Sequence, residues 1–166
     1  MAVLFACVLL FFLVRPLFEL FEVYDGGMLP TLQVGDRVYV DKVTYRFREP
    51  ERHDVVVFNS VERTTKGDRN DPVRLSRVVG LPGDTVEVRD GALLVNDEYQ
   101  EEPYVDTRVP DTGFYGPTTV PAGRAFVMGD NRTNSRDSRF FGPVPFGNIE
   151  GKVFLIAWPP GRIEYV

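Results

Sequence analysis

The chain carries one cysteine, Cys7, and one histidine, His53. A single thiol excludes an internal disulfide and a multi-cysteine zinc site, and a single imidazole excludes a His-pair metal motif and argues against a histidine-based triad. Positive charge is not in excess. Nineteen Lys+Arg against 24 Asp+Glu leave a formal net charge of -5, so no basic field is available for a phosphate backbone and nucleic acid is not an expected partner. No internal repeat, low-complexity tract or long linker interrupts the 166 residues, whose 43% hydrophobic and 26% charged content is that of one ordinary globular domain. What the chain has in plenty is punctuation. Fifteen Gly and 13 Pro exceed average usage and favour many short strands and turns, so a mainly β fold is the expected class.

Hydrophobicity is unevenly spread. Met1 to Val14 holds no charged side chain, and apolar residues resume at Leu17, Phe18, Leu20 and Phe21 after Arg15 and Pro16. The expectation is a membrane-anchoring helix over residues 1–21, although 14 uninterrupted apolar residues fall short of the roughly 20 that a spanning helix needs. A cleaved signal peptide, a lipidation box at Leu4-Phe5-Ala6-Cys7 and a buried core helix are the competing readings. No basic residue precedes the apolar run, so charge bias gives no orientation.

Residues 22–166 read as a β domain. Arg37 to Val43 alternates apolar and polar side chains, Asp54 to Phe58 is a β-branched run suited to burial on both faces, and Arg77 to Gly80, Arg124 to Met128 and Lys152 to Trp158 complete the single strands. Thr85 to Asn96 places Asp90-Gly91 between two alternating segments, a strong hairpin signal. Asp97 to Gly123 reads as irregular, residues 60–72 as an exposed polar loop, and residues 84–123 as a small subdomain inserted in the main one. No helix-period stretch of useful length follows Tyr24.

Three stretches carry more than composition: Tyr24 to Asp36 (YDGGMLPTLQVGD), Arg74 to Asp84 (RLSRVVGLPGD) and Met128 to Val144 (MGDNRTNSRDSRFFGPV). Alone, the first two are turns and strand ends, and the third is a charged loop whose carboxylates and arginines lock one another. In this order and spacing they resemble the type I signal peptidases, membrane-anchored serine proteases that remove signal peptides from exported proteins. In that family an anchor precedes Ser-x-Ser-Met-x-Pro-Thr-Leu, then Lys-Arg-x-x-Gly-Leu-Pro-Gly-Asp, then Gly-Asp-Asn-Arg-x-x-Ser-x-Asp-Ser-Arg-x-x-Gly. Met28 to Leu32, Gly35-Asp36, Arg77, Gly80 to Asp84 and Gly129 to Gly142 fit this pattern.

The resemblance implies a mostly antiparallel β structure with a small second β subdomain, held on the outer side of the cytoplasmic membrane by a single-pass anchor. It also implies a Ser-Lys dyad, in which a neutral lysine takes the proton of the serine nucleophile and nearby donors hold the oxyanion. Carried over residue by residue, the nucleophile falls on Gly27, the oxyanion donor on Asp25 and the base on Ser76. All three functional side chains are absent. The remaining lysines (Lys42, Lys66, Lys152) and serines (Ser60, Ser135, Ser138) stand at no dyad position, and His53 replaces a glycine of the pattern. What persists is the surround: the Gly27 backbone N–H as oxyanion donor, Met28 and Pro30 at the substrate groove, Asp130 opening the box, Ser135 at the serine that bonds the family's lysine, and Asp137 with Arg139 as a supporting ion pair. Without the lysine, Ser135 is left with Ser76 as its expected partner.

Two functions are therefore weighed. One is a signal-peptidase-like pseudoenzyme that binds signal peptides or exported precursors at the bilayer without cutting them, with an active paralogue as a further candidate partner. The other is a working signal peptidase that uses an unrecognised nucleophile, or whose sequence carries inactivating substitutions. Neither calls for a cofactor or a metal.

Overall fold

In the computed structural model, which describes residues 17–59, 73–108 and 112–166, the alternating segments form two antiparallel sheets. The strands are β1 (Phe18–Glu22), β2 (Arg37–Asp41), β3 (Val55–Asn59), β4 (Val73–Gly80), β5 (Thr85–Arg89), β6 (Ala92–Val95), β7 (Glu98–Tyr99), β8 (Tyr115–Thr119), β9 (Arg124–Met128), β10 (Val144–Pro145), β11 (Ile149–Trp158) and β12 (Glu164–Tyr165). Among the described residues one short α-helix, α1 (Ser138–Phe141), precedes β10. The larger sheet runs β1-β2-β11-β3-β4-β9-β10 with β12 on β11, and the smaller runs β7-β6-β5-β8.

The burial pattern explains the layering. In β3, Val55 and Val57 enter a cluster with Val23, Met28, Leu32, Val38 and Val40, whereas Val56 and Phe58 enter another with Val78, Val127 and Val144. The β-branched run is thus covered on both faces, as its composition predicts. A third cluster joins β5 and β6 to Val79, Phe126 and Met128. Gly80 makes that junction close: a Cβ there would stand 2.5 Å from Val86 Cγ2 and 3.0 Å from Phe126 Cβ.

The β5–β6 hairpin forms around Asp90 (φ 50) and Gly91 (φ 78), the two left-handed residues that a type I′ turn requires. Two expectations need correction. Asp97 to Gly123 is not wholly irregular, because β7 and β8 complete the smaller sheet. Gly116 sits inside β8 at φ 84, where a Cβ would stand 2.6 Å from Val86 O. The β5–β8 register shifts between Val86 and Val88, a bulge that only glycine fits. Helix α1 is a single turn, too short for helical periodicity, started by Asp137 accepting from the Arg139 N–H. Finally, residues 18–21, assigned to the anchor, form β1. Phe18 pairs with Asp41, Leu20 with Tyr39 and Glu22 with Arg37, and the interleaved Glu19, bonded by Lys42 Nζ at 2.8 Å, suits an edge strand rather than a helix in lipid. Met1 to Val14 and the 60–72 loop lie outside the described residues, and no helix among the described residues is long and apolar enough to cross a membrane.

A polar staple ties the turn after β2 to β11. Asp54 accepts from Lys152 Nζ at 2.5 Å, Tyr45 Oη at 2.8 Å and the Glu51 N–H at 3.1 Å. Burial raises the Asp54 carboxyl pKa, but these hydrogen bonds outweigh it and leave the group below its ordinary value. A depressed carboxyl stabilises the fold above the unfolded pKa, near 3.9, and loses that contribution as pH falls through the folded value. The stability gap between the parent chain and Asp54→Asn is therefore expected to be full at neutral pH and to shrink below about pH 4, as read by urea unfolding at several pH values. A gap that is constant from pH 7 to about pH 2 would contradict the staple's charge.

Candidate functional site

The site starts from the turn between β1 and β2. Val23 donates to Asp36 O at 2.8 Å and accepts from the Gly35 N–H at 2.9 Å, which closes the loop. Inside it, Met28 and Leu32 are fully buried and act as pegs in the core. Asp36 caps the Gln33 N–H at 2.8 Å and receives Arg162 Nη2 at 2.9 Å, while the same Nη2 donates to Thr31 O at 3.1 Å. With its far half held, the loop presents Asp25 and Gly26 towards solvent, with Gly27 buried beside them.

The stretch after β9 holds the near half. Asn131 donates its N–H to Gly27 O at 3.0 Å and its Nδ2 to Gly26 O at 2.9 Å. Gly129 permits this approach, since a Cβ there would overlap Ser135 Oγ and stand 2.5 Å from Gly27 O. Beneath lies a ring of buried charge pairs. Arg77 is bidentate to Asp130 (Nε 2.9 Å, Nη2 2.7 Å), donates to His53 O at 3.0 Å and stacks on Tyr104 with its guanidinium carbon 4.1 Å from the ring centroid. Thr31 Oγ1 donates to Asp130 at 2.5 Å. Asp137 takes Arg139 through both oxygens at 2.9 Å and the Gly129 N–H at 3.0 Å. Arg139 passes on to Arg132 O at 2.8 Å, and Arg132 clamps Glu102 at 2.7 and 2.5 Å. Bidentate pairs with every oxygen engaged are the arrangement that tolerates burial. Burial, then the Glu102 carboxylate, push the Tyr104 hydroxyl pKa well up, so it stays protonated. Burial, then Arg77 and Arg52, push His53 down. The His53 ring lies against Tyr104, away from the cavity described next.

A cavity of about 350 Å³ opens above this ring, lined by Asp25, Gly26, Gly27, Arg74, Leu75, Thr133, Asn134, Ser135 and Arg136. Its floor is Gly27, whose N–H donates to Asp25 Oδ1 at 2.8 Å. Its wall is the start of β4. That strand pairs with β3 from Val73 to Arg77 and with β9 from Arg77 to Gly80, so the β9 ladder begins only past the part of β4 that lines the cavity.

The structure thus brings Asp25, Gly27 and Ser135 together, with Asp130, Asp137 and Arg139 as supports. It corrects two expectations. Met28 is a core residue, not part of a groove, because its unbranched side chain points into the cluster with Val23 and Leu32. The Gly27 N–H, expected as an oxyanion donor, donates to Asp25 Oδ1. Pro30 lines a neighbouring cavity of about 300 Å³ with Leu29, Val105 and Asn131. Ser76 is buried on β4 opposite Val56, beside the cavity wall but not among its lining residues, and forms no hydrogen bond with Ser135 among the described residues. Arg74, Leu75, Asn134 and Arg136 lie in the second and third stretches of the sequence but carry no individual role there. Arg74 and Leu75 could have been singled out, as the strand residues just before Ser76.

Comparison with known proteins follows the same lines. The family described as signal peptidase, peptidase S26, matches residues 1–158. The chain is 42% identical over 138 residues to a signal peptidase I of Leptolyngbya laminosa (82% of this chain, 67% of the relative). It is 44% identical over 142 residues to thylakoidal processing peptidase 1 of Arabidopsis thaliana (83% and 41%). Against signal peptidase I of Mycobacterium tuberculosis it is 37% identical over 213 aligned positions (97% and 70%). The chain therefore spans between about two fifths and seven tenths of these relatives. The crystal structure of a signal peptidase I from Enterococcus faecalis superposes with a TM-score of 0.51 at 35% identity, covering 63% of this chain and 97% of that one.

Proposed function

The chain belongs to the signal peptidase family, peptidase S26, and on that premise we propose that it is a non-cleaving member that binds signal peptides or exported precursors at the outer face of the cytoplasmic membrane. The observation that carries this reading is the 2.8 Å bond from the Gly27 N–H to Asp25 Oδ1. Acyl transfer needs a donor where negative charge develops. Here the main-chain donor is spent on a fixed carboxylate, and that carboxylate would itself face the oxyanion. Gly27 supplies no nucleophile, and Ser76 supplies no amine to activate one.

Binding has different requirements. An extended peptide adds to a sheet edge through main-chain N–H and C=O groups, with side chains reaching alternate pockets. The start of β4 supports this, since the β9 ladder begins only at Arg77 while Arg74 and Leu75 line the cavity over Gly27. None of those main-chain groups depends on a serine or a lysine. The apolar run Met1 to Val14 supports attachment to the bilayer, and an active paralogue is a natural source of the cleavage that this chain does not perform.

Incubated with an exported precursor, the full chain in detergent is expected to retain the precursor on a pull-down and to release no shortened product on a gel. Retention is expected to need the signal peptide, so the mature form of the same protein should pass through. Appearance of the shortened product would overturn the reading.

A further inference from the structure

Away from the cavity over Gly27, the large apolar side chain most exposed among the described residues is Phe47, with 85% of its surface in solvent. A loose loop is not the cause. The turn Thr44–Arg46 is closed by the Arg46 N–H to Val43 O at 2.9 Å and by the Phe47 and Arg48 N–H groups to Thr44 O, each at 3.1 Å. At its root Asp41 takes the Val43 N–H at 2.7 Å, the Thr44 N–H at 3.1 Å and the Thr44 hydroxyl. Tyr45 packs against the core and donates to Asp54 at 2.8 Å. The tip Arg46-Phe47-Arg48 is thus held out from the domain with all three residues exposed. A single exposed phenylalanine needs no explanation. Phe47 is not single: with Leu17, Phe18 and Val43 it borders a shallow cavity of about 430 Å³.

The chain itself sets what lies next to this patch. The Lys42 N–H donates to Leu17 O at 3.1 Å and Phe18 pairs with Asp41, so the start of β1 is tied to the root of the Phe47 turn. Val14 ends the apolar run three residues before Leu17, and three residues span at most about 10 Å. That reach is comparable with the polar layer of a bilayer, roughly 5–8 Å on each side of the hydrocarbon. Charge around the tip is mixed. Arg48 pairs with Glu51 at 2.5 Å and Lys42 with Glu19 at 2.8 Å, and Glu49 is exposed beside them, so a strongly anionic surface is not favoured. An aromatic ring between two arginines suits zwitterionic headgroups, with the ring at the acyl boundary and the guanidinium groups at the phosphates.

We propose that the Phe47 tip is a second membrane contact, inserted into the phospholipid headgroup layer of the leaflet in which the apolar run ends. This contact rests on the bilayer attachment read above. Attachment at one point alone would leave the domain's orientation undetermined, whereas a second point on the rigid turn after β2 holds the cavity over Gly27 at one height above the lipid.

The test uses the full chain reconstituted with phosphatidylcholine vesicles, and flotation on a density gradient first shows whether it is bound. The sequence has one tryptophan, Trp158, so Trp158→Phe/Phe47→Trp carries a single reporter at the tip. Trp158→Phe/Phe114→Trp carries one just before β8, at a phenylalanine that is also exposed, by 71%. In vesicles the reporter at position 47 is expected to emit at shorter wavelength than the one at position 114. It is also expected to be quenched by phosphatidylcholine brominated near the headgroup end of its acyl chains, more than by lipid brominated near the chain ends, while the reporter at position 114 is unaffected by either. A chain that floats with the vesicles while its position-47 reporter ignores both brominated lipids overturns the tip contact and leaves bilayer attachment standing. Equal quenching at positions 47 and 114 also overturns it, because the contact would then belong to no particular turn. If the chain does not float, the bilayer attachment falls and the tip contact with it.

Discussion

Cleavage of an exported precursor by the Gly27→Ser/Ser76→Lys chain is expected to run at least about a hundredfold below cleavage by the chain that also carries Asp25→Ser, since losing one oxyanion donor alone costs that much. Two effects act together. A Cβ at position 27 comes within 3.0 Å of Asp25 Oδ1, so a serine there must push the carboxylate aside. Even displaced, the carboxylate stays next to the developing oxyanion and competes for the residue-27 N–H that it now holds at 2.8 Å. The lysine at position 76 would start from a buried backbone site, only 2% exposed, where desolvation favours the neutral amine that a general base requires. The cleavage rate of the triple variant is accordingly expected to rise with pH as that amine loses its proton. Initial rates of product formation, measured side by side, decide the matter. Equal rates for the double and triple variants would show that Asp25 is not the obstacle.

The second large effect is on stability. Replacing Asp130 by alanine is expected to cost about 3–5 kcal/mol, the usual penalty for leaving one member of a buried ion pair without the other. The Asp130 side chain is fully buried and that of Arg77 only 9% exposed. The substitution removes two charge-assisted hydrogen bonds and the Thr31 hydroxyl's acceptor, and it leaves a guanidinium under the Tyr104 ring. Replacing both partners by apolar residues of similar volume, Arg77→Met with Asp130→Leu, is expected to cost less than Asp130→Ala alone, because no charge is then left without a partner. Urea denaturation of the three chains measures this. A loss under about 1 kcal/mol for Asp130→Ala would mean that water reaches Arg77 and the ring is not a dry support.

Both predictions turn on residues whose types were visible in the sequence but whose partners were not. The Asp90-Gly91 hairpin and the doubly covered Val55–Phe58 strand were legible because each depends on neighbours along the chain: a turn needs two left-handed residues, and a run of β-branched side chains needs apolar cover on both faces. Strand β8 was not, because Gly116-Pro117 breaks a local pattern and becomes tolerable only in the bulge that β8 makes against β5. Strand β1 was read as membrane helix because five apolar and acidic residues in a row look alike in both roles until Arg37–Asp41 supplies a partner. Met28 was placed in a groove by resemblance, and its burial follows from the path of the loop rather than from its neighbours.

The identities at positions 25, 27 and 76, the order of the three motifs and the mainly β class are settled by the sequence itself. They rest on composition, periodicity and spacing, which the chain carries before it folds. Tertiary structure alone decides that Asn134 and Ser135 arrive beside Gly27 and that β9 joins β4 only at Arg77. Those facts join residues about 50 to 110 apart in the chain, and the closure of such long loops is governed by the packing of the whole sheet around Met28 and Gly129, which no local pattern encodes.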